Sequence, residues 1–159
     1  MTATAKYRWI DNRKVPFVPV EEWKWFGNAG HLCVADRCRF HLCTQVGEFL
    51  VSTVGEYVPD SATCEILAAC RKIVLEGKGN ARRVRWLRQN GYEKLGAGDG
   101  TYETMVFVAG EPCAIPDCHC GLPQISGIEL HGEWYTTAGD ATEGHYRQCL
   151  RWSAQGEPE

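Results

Sequence analysis

Sulfur and imidazole carry the chemistry most easily read in this chain. Cys118 and Cys120 stand one residue apart in CHCGLP, and His145 and Cys149 stand four apart in GHYRQC. Positions i and i+4 of a helix lie one turn apart on one face, so an imidazole and a thiolate spaced this way can grip one ion. Two cysteines flanking a single residue make a tight knuckle able to supply two more ligands. Four nitrogen and sulfur donors in a tetrahedron suit zinc, and a filled shell leaves no position for a substrate. The expected site is therefore a structural zinc held by Cys118, Cys120, His145 and Cys149. Cys113, in PCAIPDCHC, is an alternative ligand that could replace Cys118 or Cys120. Such an ion would pin the closing helix to the loop before it. It would also supply folding energy to residues 111–138, which hold several glycines and few apolar side chains, within a zinc-stabilised subregion of residues 111–152.

A catalytic zinc is the rival reading. Zinc deaminases combine a His-x-Glu with a Pro-Cys-x-x-Cys. Here His131 and Glu133 form a His-x-Glu, but it follows the cysteines, and the spacing after Cys113 is too long. The reversed order breaks the geometry that those enzymes need.

A second group of candidates lies in RCRFHLCTQVGEFLVSTVGEY. Two β-rich runs flank VGE, which predicts a hairpin of residues 37–46 with residues 48–57. Alternation along a strand puts Arg39, His41 and Cys43 on one face and Cys38, Phe40, Leu42 and Thr44 on the other. His41 and Cys43 could form a nucleophile pair. Arg39 and His41 on one strand, Ser52 and Thr53 on the next, and Glu103 in TYETMVF loosely resemble the site of ADP-ribosyltransferases. That resemblance implies that Arg39 or His41 positions a nucleotide, Ser52 and Thr53 brace the pocket, and Glu103 polarises a ribose hydroxyl. The family's usual partner two residues before the glutamate is missing, since Thr101 stands there.

Charge supplies a third group. Net charge is −3, yet residues 71–94 hold eight Lys or Arg against two Glu, leaving the rest of the chain strongly acidic. Arg82, Arg83, Arg85 and Arg88 cover a wide arc of one expected helix and could dock phosphates, so nucleic acid is a possible partner.

The elements that must position these groups follow from pattern. The chain has the length of one domain, residues 1–159, with ordinary globular composition: 44% hydrophobic and 23% charged. Prolines among residues 1–30 predict short edge strands and turns. Helices are expected near residues 60–72, at 80–90 with Gly91 closing, and at 140–152 with Asp140 as N-cap and Glu143 reaching back. TYETMVFVAG reads as a strand, and residues 111–138 as irregular. The fold class is α+β: an antiparallel sheet, two or three helices, and a zinc-clipped C-terminal subregion. No run approaches the roughly 18 apolar residues of a membrane span, and MTATAKYRWIDNRK lacks an apolar signal segment. A cytoplasmic location with reduced thiols, and no membrane partner, is the expectation.

Three blocks, CRFHLCTQVGEFLVSTVGEYVPD, YETMVF and CHCGLP with ATEGHYRQC, give the chain its resemblance to a family of small tailed-phage and prophage proteins. The similarity runs from about Trp25 to Trp152. It implies a phage setting and hence the host cytoplasm; because small phage proteins often act on host machinery or host defence, a host protein is the expected partner, in a takeover or anti-defence role. It implies no particular reaction.

Overall fold

A computed structural model describes residues 6–27, 37–58, 86, 89–95, 100–125 and 128–155. The protein is α+β, with antiparallel pairing throughout the described strands and one long helix. The helices expected at 60–72 and over most of 80–90 lie outside the described residues. Gly91 does take a φ of +78°, as a helix-closing glycine would.

Strands β1 (Tyr7–Ile10) and β2 (Arg13–Pro16) form a hairpin of their own. Its two corner residues, Asp11 and Asn12, both have positive φ, the turn whose twist matches paired strands. A short 3-10 turn (Val20–Glu22) leads into β3 (Lys24–Phe26). The central hairpin is β4 (Cys38–Val46) with β5 (Phe49–Tyr57), as its alternation predicts. Gly47, at φ +61°, takes the first corner, where a Cβ would be strained.

Strand β6 (Tyr102–Pro112) pairs with β5. It also pairs with β7 (Pro123–Ile125) and β8 (His131–Tyr135), two short strands within a stretch whose sequence reads as irregular. HGEWY has no run of β-branched residues. It becomes a strand because the edge of β6 supplies its partners.

Helix α1 (Ala138–Trp152) lies across one face of the sheet. Its N-cap is Thr137 rather than Asp140. The Thr137 hydroxyl accepts from the Asp140 amide at 3.1 Å and donates to the Asp140 carboxylate at 2.7 Å. Thr137 is thus a side-chain N-cap steadied by the Asp140 carboxylate, and the helix begins earlier than expected. Its buried residues, Ala141, Gly144, His145, Gln148, Cys149 and Trp152, recur at helical spacing and form one stripe.

The sheet divides the interior into two apolar clusters. On the helix face, Phe49, Val51 and Val106 meet Cys149 and Trp152, and the first hairpin adds Ile10 and Val15. On the far face, Cys43 and Leu50 meet Leu122, with Phe26, Val54 and Cys120 around them.

Gly144 faces the Tyr135 side chain, where α1 crosses β8. A Cβ there would collide with the Tyr135 hydroxyl. Glycine to alanine within a helix ordinarily stabilises by about 1 kcal/mol. Gly144→Ala should instead destabilise, by roughly 1–3 kcal/mol of overpacking, measured as a lower denaturant midpoint.

Candidate metal centre

Three sulfurs converge beside the far face of the sheet. The Sγ atoms of Cys113, Cys118 and Cys120 all lie within 4.8 Å of one another. The chain between β6 and β7 builds this arrangement from local chemistry. The Cys113 amide donates to the Leu122 carbonyl at 2.7 Å and closes the loop at its base. Pro116 and Asp117 make a turn in which the Cys118 amide donates to the Ile115 carbonyl at 3.1 Å. Asp117 has φ +61°, so proline at the first corner and positive φ at the second give the type II pattern. That turn folds Cys118 back over Cys113. Leu122, buried in the far-face cluster, anchors the loop. Ile115, by contrast, is 53% exposed, so the loop tip gains little from burial.

The electrostatics suit a cation. At Cys118 the Cys120 backbone amide pulls the thiol pKa down. The Cys120 thiol, desolvation and Cys113 outweigh it, and the net shift is upward. Neighbouring thiols resist ionising together, and a bound positive ion reverses that preference. A tetrahedral ion with metal–sulfur bonds of about 2.3 Å sets its sulfurs about 3.8 Å apart. The separations here accommodate one ion rather than a larger cluster. The residues present thus fit a thiolate-bound metal.

The expected four-ligand set is not what converges. Cys113 joins Cys118 and Cys120, while His145 and Cys149 lie across the sheet from them, in the helix-face core. His119, between two of the cysteines, is exposed and outside the group. His31, Cys33, Cys64 and Cys70 lie outside the described residues.

His145 has a different task. Its Nε2 is 2.8 Å from the Thr44 hydroxyl and its Nδ1 is 2.8 Å from the Thr53 hydroxyl. Thr53 is bonded in turn to Thr104 at 2.6 Å. All four side chains are buried. Burial lowers the His145 pKa to about 4, so the ring is neutral, with one nitrogen donating and the other accepting. Thr44 also bonds Cys149, whose thiol burial pushes up to about 12. A thiol held protonated within the core is a poor metal ligand.

Beyond Thr104 the polar contacts continue to Tyr135, whose hydroxyl donates to Glu133. Glu133 also accepts from Arg147 at 2.7 Å and Gln148 at 2.9 Å, and meets His131 at 3.1 Å. Partial burial would raise its pKa, but hydrogen bonds from Tyr135, His131 and Arg147, with the Arg147 charge, hold it below the ordinary value. His131 and Glu133 therefore serve a structural carboxylate network that ties β8 to α1.

The nucleotide-site candidates divide between the two faces. Thr53 points to the helix. Arg39, His41, Ser52 and Glu103 belong to the opposite face by strand alternation. His41 bonds the Gly27 carbonyl at 3.2 Å, and Arg39 lies 6.0 Å from the Tyr92 ring. Glu103 accepts from the Trp134 indole at 2.9 Å; burial raises its pKa. His41 and Glu103 are separated by Val54 on the intervening strand, about 10 Å at two strand spacings. Cys43 is buried, its thiol raised to about 12, so the His41–Cys43 pair holds no activated nucleophile. A cavity of about 350 Å³ opens elsewhere, lined by Arg13, Lys14, Glu48, Phe49, Val108 and Ala109. Arg82, Arg83, Arg85 and Arg88 lie outside the described residues.

Among the described residues no helix is long and apolar enough to cross a membrane. No protein-family model, curated protein or solved structure matches the chain. Fold and site together define an α+β domain with a three-cysteine group able to hold a metal ion.

Two outcomes test the polar core. Thr53→Val keeps the side-chain shape but strips His145 Nδ1 of its partner. It should cost about 1–3 kcal/mol, read from chemical denaturation. The second concerns pH. A base whose folded pKa lies below its unfolded value of 6.5 favours the fold when neutral. That stabilisation is full above pH 6.5 and is lost as pH falls from 6.5 toward 4, amounting to about 3 kcal/mol. The difference in stability between the protein and its His145→Gln variant should shrink over that window. A difference independent of pH would contradict the neutral-ring assignment.

Proposed function

We propose that the protein is a small metal-stabilised binding domain, working in a phage setting and acting by engaging a host macromolecule rather than by catalysis. Zinc is the ion we assign, with Cys113, Cys118 and Cys120 as its sulfur ligands. The observation that carries this reading is the convergence of three thiols within 4.8 Å on a loop with little apolar burial of its own. Thiolates favour zinc over the harder divalent ions, and an ion so held orders the loop that bears it. The distribution of Arg39, His41, Ser52, Thr53 and Glu103 over both faces favours binding over a nucleotide-processing reaction.

Elemental analysis of protein purified without chelator should find about one zinc per chain. Cys113→Ser, Cys118→Ser and Cys120→Ser should each lose it, whereas Cys149→Ala should keep it. Stripping the ion should lower Tm. At a hundredfold excess of free ion over Kd the stabilisation is about 2.7 kcal/mol, or roughly 5–10 °C in a domain of this size. A chain that holds no ion, or loses it through Cys149→Ala but not Cys113→Ser, would sink the assignment.

A further inference from the structure

Five aromatic groups stand out among the described residues: three already hold a cation of the chain's own, and a fourth, Phe40 edge-on to Tyr102, is closed off by the burial of Tyr102. Lys14 lies 4.1 Å above the Tyr7 ring beside Trp9. Lys94 lies 4.1 Å above Trp86, and Arg39 is near Tyr92. Arg151 lies 5.9 Å from Trp152, which packs on Phe49. The fifth joins Trp23, Trp25 and Tyr146, with ring centroids 5.6–6.4 Å apart. Trp25 and Tyr146 are each 47% exposed, and buried His145 backs Trp25 at 5.8 Å. Among the described residues no Lys or Arg lies over these rings.

The surroundings of this cluster are acidic. Exposed Glu21 and Glu22 directly precede Trp23, and exposed Glu143 lies one turn before Tyr146 on α1. Lys24 points to the other face of β3 from Trp25. Arg147, next to Tyr146, is committed to Glu133 at 2.7 Å. Residues 28–36 contain no Lys or Arg. The negative faces of aromatic rings attract ammonium and guanidinium groups, and carboxylates around them add to the attraction.

We infer that the exposed Trp25–Tyr146 face, backed by buried Trp23, is a docking site for an arginine or lysine side chain on an extended basic segment of a partner protein. Strand β3 ends the described sheet order, and Trp25 lies at its centre. This names the contact surface of the binding domain proposed above and takes its biological sense from that reading.

The probe is a capped hexa-arginine peptide added to the full chain of measured zinc content, followed through the tryptophan indole N–H resonances. The Trp25 indole should move and the Trp9 indole should not. Trp25→Ala should weaken binding about fivefold, while Trp25→Phe recovers part of it. Glu22→Gln with Glu143→Gln should weaken it at low salt only. Tyr146→Ser, read in the same way, serves if Trp25→Ala is unstable. Equal movement of all indoles, or unchanged affinity in the Trp25 and Tyr146 variants, would overturn the site. Self-association through the patch, seen by light scattering without peptide, would overturn the assigned occupant. A chain without zinc that still passes this titration would overturn the metal reading alone.

Discussion

A neutral imidazole held between two threonine hydroxyls fixes the helix to the sheet. His145 reaches inward from α1 and is met by Thr44 on β4 and Thr53 on β5, with Thr104 on β6 behind. A buried donor or acceptor left without a partner costs about 1–3 kcal/mol, so this small group specifies how α1 must sit. Sliding the helix by one residue would break both imidazole bonds and swing Cys149 and Trp152 off the core. Apolar burial drives the helix onto the sheet; the polar contacts fix its register. The same chain of contacts leads through Tyr135 to Glu133, and so couples strand β8 to the helix that covers it.

Two-residue alternation extends that constraint to the rest of the molecule. Once Thr44 faces α1, Cys43 must face away, and the far side of the sheet needs its own cover. The cysteine-bearing loop provides it through Leu122 and Cys120. The two candidate halves of a zinc site thereby fall on opposite sides of a sheet, although both lie in the C-terminal fifty residues. Their separation follows from the pleat.

Much of this was legible in the chain, and the misreading is instructive. The central hairpin and strand β6 are plain because their β-branched runs alternate and VGE supplies a turn. Strands β7 and β8 were hidden because their pairing is supplied by β6, a non-local partner that local propensity does not register. His145 and Cys149 have the spacing of metal ligands, but they also belong to the stripe from Ala141 to Trp152 that a core-facing helix shows. Ligand spacing and packing periodicity coincide at i and i+4. Only knowledge of what lies opposite separates them. Cys113 was legible through Pro116 and Asp117, a turn signal that folds the chain back between two cysteines. Reading the turn before the spacing would have placed Cys113 with Cys118 and Cys120.

The two ordering devices differ in kind, which bears on how the protein would respond to its surroundings. The core beneath α1 consists of neutral groups whose protonation stays fixed through the physiological range: an imidazole with a pKa near 4 and the Cys149 thiol near 12. The cysteine loop consists of partly exposed thiols whose state depends on whatever ion or oxidant reaches them. Leu122 and Cys120 join loop to core, while the loop tip at Ile115 lies beyond them in solvent. Loss of an ion from that tip would disturb the loop and the far face of the sheet, leaving α1 held by contacts that involve no metal. The aromatic face of Trp25 and Tyr146 adjoins α1, not the loop, and His145 lies directly beneath it. A surface backed by the most firmly fixed part of the fold is well placed for recognition, because little freedom is lost when a partner arrives.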